Sequence, residues 1–96
     1  MRKYEILYII NASVEEAARQ DVIENMKNIV TAGKGVVSEV TEWGVREFAY
    51  EINHMTKGYY VLMNFEADQD TVKELDRLNR INANLVRFLI VNLEDK

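Results

Sequence analysis

Few side chains in this chain could do chemistry. His54 is the single histidine. It falls in an expected hairpin connection, where a surface imidazole is its ordinary role, and no further ligands converge on it to hold a metal. Carboxylates are grouped at Glu15 with Glu16, Glu39 with Glu42 and Asp68 with Asp70. Each group is accounted for by a helix N-terminus, where acids complement the dipole, or by exposed strand positions. Gly33-Lys34-Gly35 has the composition of a phosphate cradle but closes a helix instead of opening one after a strand. The absence of cysteine excludes thiol catalysis, cysteine-based zinc sites and iron–sulfur chemistry. No catalytic residue, metal or cofactor is expected.

The basic residues are more informative. Arg2 and Lys3 stand at the start of a first strand, and Arg80 and Arg87 flank the turn into a fourth, its expected edge neighbour. Arg46 and Lys57 lie on or beside a long hairpin. Two clusters could thus grip phosphates, with arginine offering bidentate contacts. A single exposed arginine also has a plainer role in a surface ion pair worth at most about 1 kcal/mol. The net charge of −4, with 12 Lys and Arg against 16 Asp and Glu, argues against a domain whose whole surface sits on phosphate. Clustering of the basic residues on one edge, or a basic protein partner, would resolve that conflict.

The elements that must position these residues follow from periodicity. Tyr4, Ile6, Tyr8 and Ile10 alternate with Lys3, Glu5, Leu7 and Ile9, the pattern of a strand apolar on one face and mixed on the other. Ser13 and Glu16 have capping-box spacing, so a helix is expected from about Val14 to Ala32. Its apolar stripe is Val14, Ala18, Val22, Met26, Ile29 and Val30. Gly33 suits the left-handed closing position. Alternation resumes from Val36 to Ile52, with Gly44 at a bulge or bend, and Asn53 to Lys57 forms the hairpin connection. Gly58 to Ala67 is a third strand, central in position. Asp68 or Asp70 caps a second helix carrying Val72, Leu75 and Leu78. Leu85 to Leu93 is the last strand.

The order βαββαβ with right-handed crossovers implies an α+β domain of the ferredoxin-like split βαβ type. It is a four-stranded antiparallel sheet with two helices on one face. Ninety-six residues suffice for a single domain spanning 1–96. Neither a secretory signal nor a membrane span is read, and a cytoplasmic location is expected. The sheet face bearing Leu7, Ile9, Tyr60 and Leu62 is left without cover, a patch that suits a protein partner. The start of the third strand, Lys57-Gly58-Tyr59-Tyr60-Val61, resembles the base-stacking strand of RNA-recognition modules only superficially. Tyr60 stands where that motif wants a small residue, and Asn64 where it wants an aromatic one.

The ten residues Gly44-Val45-Arg46-Glu47-Phe48-Ala49-Tyr50-Glu51-Ile52-Asn53 resemble the signature of bacterial small-subunit ribosomal protein six, departing from it only at Phe48, in a leucine slot. The likeness continues through Met1-Arg2-Lys3-Tyr4-Glu5, Glu42-Trp43-Gly44, Gly58 to Asn64 and the Arg80 to Arg87 segment. It implies a non-catalytic component of the small ribosomal subunit. Such a component binds the central domain of 16S ribosomal RNA together with small-subunit ribosomal protein eighteen. Arg2, Arg46, Arg80 and Arg87 match basic positions of the family. The partner is expected on the face near Leu7, Ile9, Tyr60 and Leu62, or on the hairpin near Trp43, which is equally suited to a core position at the bulge. A competing class is a small protein-interaction or ligand-binding domain, or an enzyme, using the open face. An enzyme or ligand-sensing domain would need a catalytic residue there, and none of Leu7, Ile9, Tyr60, Leu62 or Asn64 makes an acid or base. An RNA-free protein-interaction module is a separate class that suits the acidic balance.

Overall fold

A computed structural model describes residues 1–52 and 54–94 of the chain. Asn53, in the signature and at the start of the expected connection, lies outside them. The elements are β1 (Arg2–Asn11), α1 (Glu16–Ala32), β2 (Val36–Ile52), β3 (Met55–Ala67), α2 (Gln69–Arg80) and β4 (Leu85–Asn92). The strands form one antiparallel sheet in the order β2-β3-β1-β4. This is the α+β, ferredoxin-like arrangement that the pattern of elements implies.

Alternation decides which side is core. Tyr4, Ile6, Tyr8 and Ile10 of β1 and Val61, Met63, Phe65 and Ala67 of β3 bury against Val22, Ile23, Met26 and Val30 of α1 and Leu75 of α2. Both central strands thus put one set of side chains under the helices and the other on the far face. No helix among the described residues is long and apolar enough to cross a membrane.

Local chemistry corrects three expectations at element ends. The capping box does not form, because Asn11 captures Ser13. Its Oδ1 accepts from the Ser13 amide at 3.0 Å and from the Ser13 hydroxyl at 2.9 Å, a competing local turn. The helix therefore begins at Glu16 behind Glu15, whose side chain makes no cap bond. Gly33 is not left-handed, with φ at −86°; Lys34 takes that conformation at +66°. Gly33 is needed for space, since a Cβ there would run into Thr71. The hairpin connection is also shorter than expected, with β3 beginning at Met55 and pairing back to Ile52.

Two expectations hold in detail. Asp68, rather than Asp70, caps α2 by accepting from the Thr71 amide at 2.8 Å. Gly44 marks a bulge, with φ +86° and a register shift between Glu42 and Gly44. An extra residue, Trp43, enters β2 there.

Candidate functional site

Antiparallel register arranges the far face in rows across the sheet. One row runs Arg87, Ile9, Tyr60 and Gly44; the next runs Leu89, Leu7, Leu62 and Thr41. Arg46 stands opposite Gly58, which stands opposite Asn11. Arg87 on β4 and Arg46 on β2 therefore share one end of the sheet, with Ile9, Tyr60 and Trp43 between them.

The middle of this face is an aromatic and aliphatic strip. Trp43 stacks on Tyr60 with ring centroids 6.3 Å apart and planes 13° from parallel, and Phe48 meets the same ring at 6.3 Å in a tilted pose. The Arg46 guanidinium carbon lies 5.6 Å from the Trp43 ring centroid, within reach of a cation–π attraction. Trp43 is thus a surface residue, 42% exposed, and not a core one. Leu7, Tyr60 and Leu62 are half-buried, and Leu89 and Val91 are exposed at 61% and 40%. Leu7, Ile9, Arg87, Phe88 and Leu89 line a shallow pocket at the β4 edge.

The face is not wholly bare, contrary to the plain alternation argument. Ile9 is 91% buried, because its side chain and Phe48 fill the space over Gly58, where a Cβ would collide with both. Phe48, Leu89 and Val91 escaped the sequence reading. The available signal was periodicity, since Phe48 lies two residues beyond Arg46, and Leu89 and Val91 continue the alternation of Arg87.

The basic residues separate differently from their expected clusters. Arg80 and Arg87 do line a common groove between the end of α2 and β4, where Arg80 is paired with Asp76 at 2.9 Å. Arg2 and Lys3 are at the opposite end of β1 from Ile9, the neighbour of Arg87, roughly 20 Å away at about 3.4 Å per residue. The Lys3 backbone is tied instead to the chain's end. Its amide donates to Glu94 at 3.0 Å and its carbonyl accepts from the Leu93 amide at 2.9 Å. Lys57 stands across from Glu47, on the helix side of the sheet and so on the opposite face from Arg46 and Arg87.

His54 is fully exposed at the hairpin tip, 3.5 Å from Glu51. Among the described residues no group of three or more His, Cys, Asp or Glu is placed to hold a metal ion. The face offers apolar surface and two guanidinium groups, the chemistry of apolar packing and of bidentate contact with anions.

The sequence profile described as Ribosomal protein S6 matches residues 3–92. The small ribosomal subunit protein bS6 of Exiguobacterium sibiricum is 48% identical over 94 residues, covering 98% of this chain and 99% of that protein. Its counterpart in Halalkalibacterium halodurans is 46% identical, covering 99% and 100%. The crystal structure of 30S ribosomal protein S6 from Thermotoga maritima superposes with a TM-score of 0.90 at 32% identity, over 95% of this chain and 86% of that one. An Arabidopsis thaliana protein with 13% identity and a TM-score of 0.57 shares the fold alone. Signature, sheet order and full-length similarity agree, and the chain belongs to the ribosomal protein S6 family.

Proposed function

We propose that this chain binds the central domain of 16S ribosomal RNA jointly with small-subunit ribosomal protein eighteen, as an architectural element of the small ribosomal subunit. Family membership makes it a small-subunit ribosomal protein, cytoplasmic and without a catalytic role. The observation that carries the finer reading is the placement of Arg46 and Arg87 at the same end of the far face, bracketing the strip of Ile9, Tyr60 and Trp43.

The guanidinium groups take phosphate oxygens, and the apolar strip of Leu7, Ile9, Trp43, Tyr60 and Leu62 takes the protein partner. Arg80 joins Arg87 in the groove beside β4. Arg2, Lys3 and Lys57 serve as outlying phosphate contacts. The net charge of −4 opposes RNA approach, so a basic partner must supply the balance.

The test is binding of the protein to a 16S central-domain fragment across a salt series, with and without protein eighteen. Tight, salt-sensitive binding only in the partner's presence, weakened by Arg46→Ala or Arg87→Ala, is the expected result. Absence of binding in both conditions overturns the RNA assignment.

A further inference from the structure

Behind the bulge that turns Trp43 onto the far face, a group of side chains meets on the other side of the sheet. Glu42 stands opposite Val61, on the helix side. Its carboxylate accepts from the Tyr59 hydroxyl at 2.7 Å and from the Gln20 side-chain amide at 3.4 Å. The Arg19 guanidinium carbon lies 4.1 Å from the centroid of the Tyr59 ring, a cation–π distance. One helix, α1, thereby reaches the residue just before the bulge through a chain of three side chains.

The bulge needs such a constraint. β2 is an edge strand whose pairing with β3 shifts at three places, between Val37 and Glu39, Glu42 and Gly44, and Glu47 and Ile52. Apart from its chain neighbours, no described residue lies within 4 Å of where a Cβ on Gly44 would stand, so the space on that side of the bulge is open. A slip of one residue would exchange the two faces, carrying Trp43 toward the helices and Arg46 with it. Ring stacking of Trp43 on Tyr60 at 6.3 Å tolerates sliding, whereas the short hydrogen bond at Glu42 is directional.

We infer that Arg19, Tyr59 and Glu42 form a positioning clamp, which fixes the register of the bulge from the helix side and so presents Trp43 and Arg46 on the opposite face. The consequence for RNA rests on the proposed role of Arg46; the clamp itself does not. The Tyr59 phenol carries the mark of this arrangement, its pKa raised first by the hydrogen bond to Glu42, then by burial and by the Glu42 charge.

Trp43 is the only tryptophan, so its emission reports this site alone. The experiment compares the intact protein with Tyr59→Phe, Glu42→Ala and the double variant. Far-UV circular dichroism establishes folding, while Trp43 emission, acrylamide quenching and amide exchange through residues 42–46 read the bulge. Tyr59→Phe, which removes only the hydroxyl, keeps the chain folded, shifts Trp43 emission and speeds exchange about threefold, the loss expected of one hydrogen bond. The double variant goes no further than the larger single effect, because both substitutions break one connection. Unchanged Trp43 emission and exchange in folded Tyr59→Phe, or single effects that simply add, overturns the clamp. RNA binding measured on the same variants falls as it does for Arg46→Ala. If the unaltered protein fails to bind RNA, the functional proposal falls while the Trp43 readouts still decide the clamp.

Discussion

Gly33 and Thr71 meet where α1 ends and α2 begins: a Cβ on Gly33 would overlap the Thr71 hydroxyl and lie 3.0 Å from its Cβ and Cγ2. Thr71 is 94% buried and cannot swing away. Its amide is simultaneously engaged by Asp68. The junction thus joins the end of one helix to the capped start of the other.

Gly33→Ala should therefore destabilise by about 2 kcal/mol, as overpacking does, lowering Tm by roughly 10 °C in a domain of this size. Thr71→Ala in the same chain should recover part of the loss by vacating the space. Thermal unfolding of the single and double variants measures both, and strict additivity would contradict the steric account.

Asp68 should contribute to the acid limb of stability. The amide and hydroxyl of Thr71, in that order, hold its carboxyl below the usual aspartate value. A folded-state pKa below the unfolded one contributes stability that is present above the ordinary aspartate value and is lost as pH falls through the folded one. Asp68→Asn keeps a cap acceptor but cannot titrate, so its unfolding midpoint should fall less steeply than that of the unaltered protein below about pH 4. Chemical unfolding at a series of acidic pH values gives the comparison.

Tyr8 presents a buried hydroxyl with no hydrogen-bond partner among the described residues. Leaving such a donor unpaired is unfavourable, so Tyr8→Phe should be neutral or stabilising by about 1 kcal/mol. Burial, then the charge of Glu42, raises the Tyr8 pKa far above the usual tyrosine value. The raised pKa makes its contribution complete below the ordinary tyrosine pKa and lost as pH rises toward the folded-state value. Tyr8→Phe should accordingly shift alkaline unfolding to higher pH, as a pH series of thermal melts would show.

Leu89 extends the row of Leu7 and Leu62 proposed for the partner, so with Arg87 it separates the two proposed interfaces on one strand. Leu89→Glu, at a 61% exposed position, should leave Tm within a degree or two yet weaken association with protein eighteen measured without RNA. Arg87→Ala should instead lower RNA affinity in the presence of the partner and reduce the salt slope by about one. Equal losses of RNA binding and of partner binding from both substitutions would remove the division of the face.

Much of this molecule follows from the sequence alone. Alternation at Tyr4 to Ile10 and at Val61 to Ala67 is a local property, and it names the buried side of both central strands before any pairing is known. The spacing of Val22, Met26 and Val30 does the same for α1. Gly44 announces its bulge because few other residues adopt positive φ. The signature around Arg46 identifies the family. What spacing along the chain does not contain is register between strands, which arises from hydrogen bonds between residues distant in sequence. Register sends Arg2 and Lys3 to the far end of β1 from Arg87, and brings Arg46 level with the aromatic strip. It also places Trp43 on the open face opposite the Glu42 contact. Asn11, by contrast, outcompetes the capping box through a local turn to Ser13, two residues on. Thr71 decides the need for Gly33 for the same reason as register, since the two are 38 residues apart and only the tertiary structure brings them together.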